Sequence, residues 1–220
     1  MTRNESVGFR LGMIGLVVSS FLGASQGARA APIGEFRNTY YYLIFESEYP
    51  DEPKSESLLT TDGRLITKVT KRFYKDLVME GSGKLRDGRI ANWAAKVDGT
   101  SRFHVTRHLW GRGVGNCPLV PLRTIAADPT QIPQGAVVKI DETVGMRLPD
   151  GTIHNGVWRA EDVGSAILRD RIDLFVGKKQ YAKALSEHGI THLQPLTIHL
   201  LELPAADACV YQVPERDDDS

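Results

Sequence analysis

Cysteine, net charge and long apolar runs are all scarce in this sequence, and each shortage removes a class of function. Across 220 residues, 27 basic side chains face 27 acidic ones, for a formal charge of +0. No broad electropositive face is implied, so nucleic acid is not an expected partner and binding must come from shape and local groups. The apolar run at residues 11–22 is shorter than the roughly 20 residues a membrane-spanning helix needs. Only Cys117 and Cys209 are present, and no cysteine follows the apolar run, so lipid attachment there is unsupported.

Several catalytic signatures are missing as well. Gly81-Ser82-Gly83-Lys84 fails as a phosphate loop, because Val78 stands where the first glycine belongs and Leu85 where Ser or Thr belongs. His104 and His108 are four apart, as are His188 and His192, but neither pair brings the Glu of a zinc protease. They read as surface or packing histidines. Residues 111–115 lack the spacing of a dinucleotide fingerprint and read as a flexible loop. Asp162 is followed by Val163, which is not the Asp-Thr-Gly or Asp-Ser-Gly of an aspartic protease. No metal and no cofactor is expected.

What is present describes an exported globular chain. Hydrophobic residues make up 41% and charged residues 25%, enough for one domain or a small pair. Arg3 and Arg10, the apolar run, and Ala28-Arg29-Ala30 as a small-x-small cleavage site read as a signal peptide over residues 1–30. The mature chain then begins near Ala31, with an uncleaved anchor as the alternative. Export to an oxidising compartment permits Cys117 and Cys209 to pair. A disulfide and two buried free thiols both fit the spacing.

The mature chain reads mostly as strands, at residues 39–46, 65–69, 122–127, 136–141 and 196–203. Residues 72–79 fit a short helix or a strand, Asp87-Gly88 marks a tight hairpin, and residues 178–187 have helical spacing with Gly189 as a stop. Residues 156–177 are the centre of interest. They read as two short strands, 157–162 and 172–176, around a turn at Gly164 and Ser165, and each strand delivers an aspartate. Asp162 ends the first. Asp173 lies inside the second between Ile172 and Leu174, where a buried carboxyl tends to keep its proton and so to act as a donor.

Residues 123–135, 160–167 and 171–177, with Asp128, Asp162 and Asp173 in that order, resemble the three-aspartate or 3D domain found in the family of the membrane-bound lytic transglycosylase A. Residues 79–85 look like that family's Gln-Gly-Ser-Gly segment. The resemblance implies a mainly β fold, a double-psi β-barrel with a short flanking helix. It divides the chain into a β-rich part over 31–120 packing on the barrel, a barrel core over 121–203, and a disordered acidic tail over 204–220. It implies a lyase that cuts the glycan strand of peptidoglycan without water and leaves a 1,6-anhydro sugar end. The partner is then peptidoglycan, the protein a monomer in the periplasm or cell envelope of a bacterium, and membrane contact would come only through an uncleaved signal or another protein. Asp173 takes the catalytic acid/base position, with Asp162 and Asp128 in support, while Gly81, Ser82, Gly83, Gly164 and Ser165 fall along the substrate groove. Trp93, Trp110 and Trp158 could each stack on sugar or belong to the core, with Trp110 and Trp158 preferred for the groove.

Two departures from the family pattern bear on the site. Ser165, Leu168 and Arg169 replace Gly, Lys and Gly of the family's loop, and Arg169 would be strained in a left-handed conformation unless Asp170 adopts it instead. Fewer than about 35 residues separate Gly83 from Cys117, too few for a sizeable second domain. Loss of turnover with retention of peptidoglycan binding is the alternative function.

Overall fold

The computed structural model describes residues 1–2 and 31–214. The expected signal peptide, apart from its first two residues, and residues 215–220 lie outside the described residues. Among the described residues, no helix is long and apolar enough to cross a membrane.

Six strands form a closed barrel: β1 (Pro32–Tyr42), β8 (Thr124–Ala127), β9 (Val137–Arg147), β10 (Ile153–Asp162), β11 (Arg171–Gly177) and β12 (Pro195–Glu202). Their order is β1-β11-β8-β10-β9-β12, and β12 returns to pair with β1. The β1/β11 and β8/β10 pairs are parallel and the rest antiparallel. The mainly β barrel agrees with the sequence reading, and period-two burial explains the strands: Val138, Ile140 and Met146 of β9 and Ile172 and Leu174 of β11 turn inward.

Residues 153–162 and 171–177 are strands around a turn as expected, and β8 lies between them in the sheet. Two sequence expectations are corrected here. The barrel is not confined to residues 121–203, since β1 supplies one of its staves. Residues 204–214, expected in the tail, are tied down: Cys209 forms a disulfide with Cys117, 92 residues away, and Asn116 N–H donates to the Cys209 carbonyl at 2.9 Å.

A second lobe precedes the barrel core in sequence. It comprises β2 (Ile44–Phe45), the hairpin of β3 (Glu56–Leu59) and β4 (Leu65–Val69), α1 (Lys71–Glu80), β5 (Ser82–Lys84), β6 (Ile90–Val97) and β7 (Thr100–Thr106). Its own core gathers Ile44, Leu58, Val69, Phe73, Leu77, Leu85, Ala91 and Phe103. A count confined to residues after Gly83 misses this lobe, because α1 and the β3/β4 hairpin come before it. The helix-or-strand ambiguity at residues 72–79 is settled by caps. Thr70 accepts from Phe73 N–H, Gly81 takes φ 81° and closes the last turn onto Leu77, and Phe73 and Leu77 share the buried face.

Candidate active site

A groove of about 810 Å³ is lined from both the barrel and the second lobe. At its barrel wall, Ala126 of β8 is in register with Asp162 of β10 on one side and with Asp173 of β11 on the other. The two aspartates therefore flank a single small residue, with backbones about two strand spacings, or roughly 10 Å, apart. Both line the groove, as do Gly164 and Ser165 of the following loop and Gly81 and Ser82 of the second lobe.

The two carboxyls differ in their surroundings. Asp162 accepts from the Tyr41 hydroxyl at 2.6 Å and from Val163 N–H at 2.9 Å. Burial still pushes it up to about 6, with the charge of Asp173 adding to the effect and the two donors opposing it. Asp173 is pushed up to about 7, again by burial first, with Glu80 reinforcing and Thr39 and Arg171 opposing. Its Oδ1 atom is buried and has no hydrogen-bond partner. A buried carboxyl with an unmatched oxygen is better held as the neutral acid, which makes Asp173 a proton donor facing a groove near neutral pH.

Asp128 is elsewhere. It accepts from Thr130 N–H and Oγ1 at 2.9 and 2.7 Å and from Arg169 N–H at 2.7 Å, and these donors hold it below the usual carboxylate range. It does not line the groove. Its role is to anchor the loop that carries Gly164 and Ser165. Arg169 itself takes the left-handed conformation, at φ 58°, as the sequence reading feared, while Asp170, the alternative, forms a two-pronged pair with Arg37 instead.

Gly83 faces the second core rather than the groove. A Cβ there would lie 2.9–3.0 Å from Leu77, Ile44 and Phe73. Trp158 is fully buried in the barrel, donating from Nε1 to Thr143 at 3.0 Å, and Trp110 does not line the groove either. The preferred tryptophans are thus corrected: Trp93, 38% exposed, is the one on the groove wall. The loop over residues 111–115, expected to be flexible, is fixed. Asn92 bonds both N–H and C=O of Arg112, Val114 N–H donates to the Glu161 carbonyl at 2.8 Å, and a Cβ on Gly113 would meet that carbonyl at 2.1 Å.

Sequence reasoning missed Tyr41, Glu80 and His104, all of which line the groove. Period-two alternation along β1 places Tyr41 on the same face as Thr39, the residue in register with Asp173, and this signal was available. His104 lies on strand β7 and His108 beyond its end, so the pair shares no helical face. Burial, helped by Arg112, pushes His104 down to about 4, so it is neutral. Among the described residues, one cluster has metal-ligand spacing, Cys117 with Glu161 and Cys209, and its two sulfurs are bonded to each other.

The family model for the 3D domain matches residues 123–194. No curated protein matches the chain. Among solved structures, MltA of E. coli with bound chitohexaose is 16% identical at a TM-score of 0.50, over 78% of this chain and 73% of that one. Two others are a membrane-bound lytic murein transglycosylase from Agrobacterium tumefaciens (15% identical, TM-score 0.49, 78% and 74% covered) and the lytic transglycosylase LtgG of Burkholderia pseudomallei (17%, 0.39, 77% and 72%). With the closed barrel and its paired aspartates in place, residues 123–194 match the 3D domain and the chain resembles the lytic transglycosylase MltA in fold.

Proposed function

We propose that the chain is a peptidoglycan lytic transglycosylase that cleaves the β-1,4 bond between MurNAc and GlcNAc and leaves a 1,6-anhydro end. The observation that carries this reading is Asp173, a carboxyl held in its acid form to about pH 7 on the wall of a groove large enough for a glycan segment. The E. coli protein of similar fold binds chitohexaose, which supports a glycan as the ligand class.

The chemistry needs one lead carboxyl. Asp173 donates its proton to the glycosidic oxygen as the bond breaks. The resulting carboxylate then accepts the proton of the sugar's own 6-hydroxyl as that oxygen attacks the anomeric carbon, and the acid is regenerated. No second carboxylate is required as a nucleophile, and Asp162, bonded to Tyr41 and set across Ala126, is placed to support developing charge rather than to attack. Asp128 contributes by holding the loop. The Cys117–Cys209 disulfide supports an exported protein of the cell envelope.

The test is to incubate the chain from Ala31 onward with purified peptidoglycan and identify soluble products by mass spectrometry, beside Asp173→Asn. Anhydro-sugar products from the wild type alone are expected, with the rate falling as pH rises through about 7 because Asp173 then loses its proton. Products with reducing ends mean a hydrolase. Retention of both proteins on the wall without products means a binding module.

A further inference from the structure

Glu80 occupies a place that a carboxylate would ordinarily avoid. It is the last residue of α1, where the helix dipole favours cations, and the last turn of that helix has no basic residue. It is half-buried, and burial pushes its carboxyl above the usual range. One bond fixes it: Tyr42 N–H donates to Oε2 at 3.1 Å. The same strand therefore touches all three groove carboxyls, with Tyr42 on Glu80, Tyr41 on Asp162, and Thr39 in register with Asp173.

We propose that Glu80 is a positioning residue for Asp173: its carboxylate, fixed on the Tyr42 N–H and lining the same groove, adds a negative charge to the field in which the buried Asp173 carboxyl sits. Other charges surround the pair. The charge of Asp173 pushes Asp162 up, and Asp76 on α1 pushes Glu80 up and so works against its carboxylate. Arg171 beside Asp173 and Lys179 beside Glu80 act in the opposite sense, and His104 and Arg112 line the groove with them. Asp173 Oδ1 has no hydrogen-bond donor, so burial, the Thr39 hydroxyl and this field together govern its proton. The inference deepens the transglycosylase reading, in which Asp173 is the acid, but its test needs no substrate.

Carbon-detected NMR titration of the aspartate carboxyls, with Asp173 assigned from Asp173→Asn, provides the readout. Glu80→Gln keeps an acceptor for Tyr42 N–H and removes the charge, whereas Glu80→Asp keeps the charge and shortens the reach. The Asp173 midpoint should fall by roughly 0.5 to 1 pH in Glu80→Gln and stay within about 0.2 pH of wild type in Glu80→Asp. A shift in Glu80→Asp with none in Glu80→Gln would make Glu80 a structural clamp and overturn the proposal, as would equal shifts or none. If Glu80→Gln does not fold, the wild-type curve decides. Coupling predicts a two-step Asp173 titration with one inflection at the Glu80 midpoint, and a single step overturns it. Failure to release glycan products with a normal Glu80 dependence would sink the enzyme reading and leave this inference standing.

Discussion

A carboxyl that keeps its proton to about pH 7 leaves a mark on stability as well as on chemistry. Asp173 rises from 3.8 to about 7 on folding, so between those values the folded chain binds the extra proton. Its contribution to stability is full below about pH 4 and is lost as pH rises through 7. Asp173→Asn should therefore be more stable than wild type at pH 8, by on the order of 2–4 kcal/mol, with the gap closing near pH 4 in urea titrations. The tryptophans separate in a similar experiment. Trp158→Ala should cost about 3–5 kcal/mol through the cavity it leaves, whereas Trp93→Ala should spare stability and weaken glycan retention. Asp173 was legible in the sequence because its apolar neighbours and its place in an ordered motif are local facts. The choice among tryptophans was not, because facing core or groove depends on which strands pair, and Trp158 shares its strand face with His154, Gly156 and Ala160, a mixed set that announces no apolar face.

At the scale of elements, the loop over residues 163–170 is held by contacts the sequence only partly announces. The family's glycine is absent, yet Arg169 takes the left-handed conformation because Asp128, 41 residues earlier, receives its N–H. Asp128→Ala should release that amide, speeding its hydrogen exchange by about tenfold or more and lowering glycan cleavage without touching the groove chemistry directly. The three aspartates were legible as a set, but their division of labour was not: two face the groove and one braces a loop. Turn chemistry was legible where it was local. Asp87-Gly88 closes a hairpin as expected, and Asp98-Gly99, with φ 49° and 74°, closes the β6/β7 hairpin by the same signal, which went unread. Strand order was not legible, since nothing in residues 156–177 says that β8 will insert between two strands adjacent in sequence.

On the scale of the whole molecule, the disulfide joins the segment beside the groove loop to the last described segment of the chain. Replacing Cys117 and Cys209 by Ser should cost about 2–5 kcal/mol and free residues 204–214, seen as a lowered urea midpoint and as faster proteolysis there. The sequence permitted this bond without requiring it, because a separation of 92 residues carries no geometry. Strand β1 matters in another way. Its partners in the barrel are β11 and β12, so the first strand must wait for the last two before the sheet can close. Pairing over such separations makes folding slow. Thr39 and Tyr41 lie in the part of β1 that pairs with β11, so they meet the aspartates only once residues 171–177 have been made. The first strand thus carries groove residues that stay apart from their partners through most of synthesis.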